Sequence, residues 1–123
     1  MNGAVRHAGR AVLIALVLAL AASAWTLRAS PGEIVANPER FDGQAVTLEG
    51  TVTNLKERVS EKGNHYFTFD LNDGKGAVRI FSFGDASCRR GATVTVEGRF
   101  DRVKKVGDYT FRNEVTARRI SCP

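Results

Sequence analysis

Apolar and polar residues alternate with period two along most of the chain, most clearly from Gly63 to Phe83. Phe67, Phe69 and Leu71 fall on one face of a first strand, with Tyr66, Thr68 and Asp70 on the other. After Asn72-Asp73-Gly74-Lys75-Gly76, Val78 and Ile80 mark the buried face of a second strand, and Arg79, Phe81 and Phe83 point the opposite way. Alternation on both sides of an Asp-Gly turn predicts a β-hairpin. Its outer face breaks the usual rule. A solvent-facing strand surface is normally polar, whereas this one brings Tyr66, Arg79, Phe81 and Phe83 side by side.

The same pattern extends in both directions. Ala45–Leu55 reads as a strand with Val46, Leu48 and Val52 inward and Thr47, Glu49, Thr51 and Thr53 outward. Gly50 in its middle predicts a bend or bulge, where a long strand coils to serve two sheets. Lys56–Gly63 reads as a polar loop and Gly84–Gly91 as a connector. Thr93–Phe100 is a further strand with Val94 and Val96 inward and Gly98 as a second bend. A second basic loop, Asp101–Asp108, leads into a last strand, Tyr109–Ile120, with Phe111, Val115 and Ala117 as core. Ahead of the strands, Ser30-Pro31-Gly32-Glu33 carries the signature of a helix start: a Ser cap, Pro in the first turn and an acid soon after. Asn37-Pro38 keeps that helix short. Five strands, two of them bent at glycine, with no long helix predict an all-β fold closed into a small barrel, which leaves no exposed edges.

A chain of 123 residues has room for one core, and 43% hydrophobic with 25% charged residues is a globular composition. The N-terminus stands apart. Arg6 and Arg10 precede an apolar run from Ala11 to Ala22, followed by Ala22-Ser23-Ala24, the pattern of a secretory signal peptide. Cleavage after Ala24 would leave residues 25–44 as linker and short helix and 45–123 as the barrel. The alternative is an uncleaved anchor from Ala11 to Leu27, short of the roughly 20 residues of a typical span. Either reading places the domain outside the cytoplasm, periplasmic or secreted in the first case and membrane-anchored in the second. Loss of Arg6 and Arg10 lowers the formal charge from +5 to +3, with 16 Lys and Arg against 13 Asp and Glu. So small an excess favours anionic partners only through its distribution. Cys88 and Cys122 both lie in the exported part, where an even cysteine count predicts one disulfide. The competing reading is two free or metal-binding thiols, and for a metal they supply only two of the four ligands that zinc takes.

The run Leu48-Glu49-Gly50-Thr51-Val52-Thr53-Asn54, the segment Gly63-Asn64-His65-Tyr66-Phe67-Thr68-Phe69, then Asp73-Gly74 and Val78-Arg79-Ile80-Phe81 resemble an OB-fold nucleic-acid-binding domain. The likeness is greatest to the tRNA-anticodon-binding-like branch, which includes the N-terminal domain of the exodeoxyribonuclease VII large subunit. Gly91–Gly98 matches that pattern's fourth strand. The resemblance spans Val46 to Ile120, rests on glycine and apolar positions, and therefore speaks to fold more than to activity. It implies a five-stranded Greek-key barrel whose binding surface is the outer face of strands two and three, flanked by the loops joining strands one-two and four-five. By position that surface is Tyr66, Thr68, Arg79, Phe81 and Phe83, flanked by Lys56, Arg58 and Lys62 on one side and Arg102, Lys104 and Lys105 on the other. The ligand class implied is a single-stranded oligonucleotide or another anion. A protein or small-ligand partner in the envelope is the alternative. The resemblance also implies that strands three and five run parallel, which brings Cys88 and Cys122 to the same end of the barrel.

No catalytic set is expected. His65 is the only histidine of the exported part and lacks the companions of a metal or haem ligand. The exported haem-chaperone family shares an anchor and an OB fold, but its histidine motif after the barrel has no counterpart before Pro123. Asp70, Asp73, Asp85 and Glu114 fall in turns or on strand surfaces without a paired acid or nucleophile. The sequence therefore points to a binding module without a cofactor and without enzymatic activity.

Overall fold

A computed structural model describes residues 26–123. The segment read from the sequence as a signal peptide, 1–24, lies outside the described residues. The elements are β1 (Leu27–Arg28), α1 (Pro31–Ala36), α2 (Pro38–Phe41), β2 (Ala45–Val59), β3 (His65–Asn72), β4 (Ala77–Phe83), β5 (Thr93–Val106) and β6 (Tyr109–Ser121). Strands run in the order β1-β2-β3-β4-β6-β5, and β5 pairs again with β2, so five strands close a barrel. All neighbours within it are antiparallel except β4 and β6.

Closure depends on β2 changing partners. Its first half pairs with β5 and its second half with β3, and Thr51 faces both Asn72 and Thr93. Next to that exchange, a Cβ on Gly50 would come within 2.8 Å of the Asn72 carbonyl oxygen, so glycine lets β2 coil against β3. Gly98 in β5 is more crowded still. A Cβ there would run into the Thr116 carbonyl and approach Ala117 Cα to 2.9 Å, at a register shift between β5 and β6.

The core matches the inward positions of the alternation. Val46, Leu48, Val52, Phe67, Phe69, Leu71, Val78, Ile80, Val94, Val96, Phe100 and Val115 are all buried. Helix α1 starts at the expected Ser30 cap, where Ser30 and Glu33 form a reciprocal capping box. It buries Ile34 in the same core, with Phe41 of α2 beside it. The chain does not stop being helical at Asn37-Pro38, because Pro38 opens a second turn, α2, as a proline in the first turn can. The two-residue β1, parallel to β2, is too short to leave an alternation signal.

Three expectations change. Lys56–Val59 is not loop but the end of β2, paired with His65–Thr68. Asp101–Val106 is not loop either. It is one arm of a long hairpin with β6 that turns only at Gly107-Asp108. Both arms project beyond the core, so their ladders hold without a buried face and alternation gives no warning of them. Finally, Phe111 is not in the core. Asn113 takes a left-handed conformation, φ 52°, which Asn tolerates better than most residues; this interrupts the alternation below Val115 and turns Phe111 to the outer surface under Arg79.

Cys88 and Cys122 are joined by a disulfide, their Cα atoms 5.7 Å apart. It fastens the connector after β4 to the end of β6, across the parallel pair.

Candidate functional site

The outer face of the barrel is built of rows running across strands. One row is Arg58, Tyr66 and Phe83; the next is Lys56, Thr68, Phe81, Thr116 and Arg99; a third is Thr53, Asp70, Arg79, Glu114 and Asp101. Cross-strand partners share a face and touch. Tyr66 stacks on Phe81 at 5.4 Å between centroids, and Phe83 meets Phe81 edge-on at 5.0 Å. Phe83 is 72% exposed and Tyr66 and Phe81 are half-buried. Thr68, in the middle, is buried.

Lys56 and Arg58 reach this face because of a bulge. Between Thr53 and Lys56 the register of β2 slips against β3, with Asn54 left-handed at φ 52°. One extra residue resets the alternation. Without it, Lys56 and Arg58 would point away from Thr68 and Tyr66.

Arg79 and Lys104 have other commitments. Arg79 Nε donates to Glu114 Oε2 at 2.8 Å, and Lys104 Nζ donates to Glu114 Oε1 at 3.3 Å and to Thr116 Oγ1 at 3.0 Å. Glu114 is 1% exposed, and a buried carboxylate needs such partners. The Arg79 guanidinium also lies 4.9 Å from the Phe111 ring centre, and the Lys104 ammonium 5.0 Å from that of Phe81, both within cation–π range. Phe111 in turn stacks on the exposed Tyr109 at 6.4 Å. The aromatic surface therefore continues from Phe83 to Tyr109, with two cations sharing one carboxylate in its middle.

Of the flanking cations, Lys56, Arg58, Lys62 and Lys105 form no ion pair among the described residues. The Arg102 side chain turns toward Glu39 of α2 at 3.9 Å, and its backbone N–H donates to Asp42. His65 Nδ1 donates a hydrogen bond to Asp85 Oδ1 at 2.7 Å, both residues being exposed. Asp73 accepts from the backbone N–H groups of Lys75, Gly76 and Gly32, so it closes the β3–β4 turn and holds the first turn of α1. Among the described residues no group of three or more His, Cys, Asp or Glu is placed to hold a metal ion.

Sequence alternation located Tyr66, Phe81 and Phe83. It missed Phe111, Tyr109 and the Glu114 cluster, because each depends on Asn113 and on the pairing of β6 with β4.

No family model and no curated protein sequence matches the chain. Solved structures do. The second OB-fold domain of replication protein A from Methanococcus maripaludis aligns with a TM-score of 0.51 at 16% identity, over 78% of this chain and 94% of that domain. A putative aspartyl-tRNA synthetase from Leishmania major Friedlin aligns with a TM-score of 0.55 at 15% identity, over 81% of this chain but only 21% of that one. At such identities the likeness is one of fold. The barrel is an OB fold.

Proposed function

We propose that this chain is an exported module that binds single-stranded nucleic acid on the outer face of β3 and β4. The observation that carries the reading is the outward-facing ring cluster of Tyr66, Phe81 and Phe83 on the face that OB folds use for oligonucleotides and oligosaccharides. Bases stack on such rings without demanding a sequence, each contributing about 1–3 kcal/mol. Lys56, Arg58, Lys62 and Lys105 supply phosphate contacts. Arg79 and Lys104 orient the rings rather than neutralise phosphate, since Glu114 already holds them. The signal-like N-terminus and the Cys88–Cys122 disulfide support export to the periplasm or beyond. The tRNA-anticodon-binding-like branch is the family we favour, on the glycine and apolar motifs. The module works by binding, without a cofactor and without chemistry of its own.

A second reading has its own observation. Val103, Val106 and Tyr109 on the β5–β6 arm are exposed, which suits an envelope protein partner. Salt separates the two, because phosphate binding weakens steeply with added salt and apolar contact does not.

The test is fluorescence anisotropy of the full chain with labelled single-stranded DNA and RNA at two salt concentrations. Binding that fades with salt is expected, and replacing Tyr66 and Phe81 together by Ala should weaken it roughly fivefold to 150-fold per stacked base. Absence of binding at low salt retires the reading and moves the search to protein partners.

A further inference from the structure

A cleft of about 670 Å³ opens on the outer surface of β5 and β6, floored by Gly98 and Thr116 and walled by Arg99, Lys105 and Arg118, with Asp101 as its one acidic residue. A second bulge builds it. Glu97 faces Arg119 and Gly98 faces Ala117, so Arg118 is the extra residue of β6. The bulge lets Arg119 point outward to Glu97, at 3.8 Å, and adds Arg118 to the wall of the cleft. The counter-charge is slight: Arg99 is paired with Asp101 at 3.3 Å, and its side chain is 67% exposed. Such a pair exchanges readily for a better anion. Arg118 and Lys105 have no ionic partner among the described residues.

The cleft adjoins the aromatic face. Lys104 lines it while standing over Phe81, and Arg99, Thr116 and Phe81 belong to one cross-strand row. From Phe81 to Arg99 is two strand spacings, about 10 Å.

We infer that this cleft is a second anion subsite, a phosphate track that takes the backbone of a strand leaving the rings of β3 and β4. The assignment of a nucleic-acid strand rests on the reading above; the phosphate chemistry of the cleft does not. Phosphodiester oxygens suit it because Arg99 and Arg118 present planar donor forks, which match phosphate, and because the Thr116 hydroxyl lies beside them in a lining that Ala45, Val103 and Ala117 otherwise make apolar.

Two probes test it on the full chain and on R99A/R118A, both substitutions at exposed positions. With a single strand of about twelve nucleotides, the double variant should bind roughly tenfold more weakly, and its log–log salt slope should flatten by about 1.4, at about 0.7 per lost phosphate contact. A probe of about four nucleotides, long enough only for the rings, should bind equally to both proteins. Inorganic tripolyphosphate, followed by calorimetry, should bind the parent chain and not the double variant. Oligonucleotide binding with an unchanged slope overturns the cleft and leaves the ring face standing. Tripolyphosphate binding without oligonucleotide binding does the reverse. A parent chain that ignores tripolyphosphate overturns the cleft whatever the oligonucleotides do. R99Q/R118Q, which keeps chain length and polarity, should reproduce each loss; if it restores binding, charge is not what the cleft uses.

Discussion

The two faces of the β3–β4 hairpin are made from similar residues and are held by different forces. Phe67, Phe69, Leu71, Val78 and Ile80 face inward and are buried, so removal from water accounts for them fully. Tyr66, Phe81 and Phe83 alternate with them along the same strands and pack on one another and on Lys104. Helix α1 sends Ile34 into the core, and Phe83 among the outer rings is 72% exposed. An aromatic residue in the core needs no functional explanation, whereas a contiguous exposed group of them is a surface waiting for a partner.

That contrast is sharpened most by one pair of substitutions. Phe69→Ala removes a fully buried ring and should cost about 3–5 kcal/mol, a large share of the stability of a domain this size. Phe83→Ala, on the next strand but facing out, should change stability by less than about 0.5 kcal/mol while weakening ligand binding. Urea unfolding with anisotropy on the same samples reads both. Comparable stability losses from the two would mean that the outer rings are a second packing layer, and the binding face would lose its support.

Glu114 breaks the contrast in a different place, since it is an outer-face residue buried as deeply as the core. Glu114→Gln leaves Arg79 and Lys104 without their counter-charge. Both are partly exposed, at 38% and 27%, and turn to water, so the cost should be about 1–3 kcal/mol, below that of a fully buried broken pair. The freed cations should raise the affinity for single strands and steepen its salt dependence by about 0.7 per added phosphate contact. An affinity that falls instead would show that the positioning of the rings by this cluster outweighs the charge it sets free.

Period-two alternation was enough to read the barrel, because a closed sheet with one buried face imposes that pattern on every strand in it. The inward set of β2 to β5 followed directly, as did the bends at Gly50 and Gly98 and the Ser30 cap. The rest lay in places where alternation carries no information. The arms at Lys56–Val59 and Asp101–Val106 have no buried face. The even spacing of Phe111 from Val115 predicts an inward side chain, and the left-handed Asn113 between them changes the side on which it falls. The bulges at Asn54 and Arg118 each insert one residue whose effect appears only once the partner strand is known. Both bring cations to the outer surface. The charged part of the candidate site was therefore less legible than the aromatic part, although the residues had been singled out by type.

The smallest effect distinguishes the two ends of the hairpin. Its open end carries Tyr66 and Phe83, while its turn is tied to α1 by Asp73. The carboxylate accepts backbone N–H groups of Lys75 first and Gly32 next, and this holds its pKa below the ordinary 3.8 despite some opposing desolvation. A depressed carboxylate stabilises the fold above its unfolded pKa, and that stability is lost as pH falls through the lower, folded value. Stability measured by urea unfolding should therefore decline from about pH 5 downward, partly through this group. Asp73→Asn keeps an oxygen acceptor and the turn but cannot titrate. It should be less stable than the parent by about 1 kcal/mol at neutral pH, and the difference should close as the parent's Asp73 is protonated. The oligonucleotide affinity at neutral pH should be the same in both, since the turn lies at the far end of β3 and β4 from Tyr66 and Phe83. A difference in affinity would mean that the seating of α1 on the turn is felt along the whole hairpin, and the two ends could no longer be treated as separate.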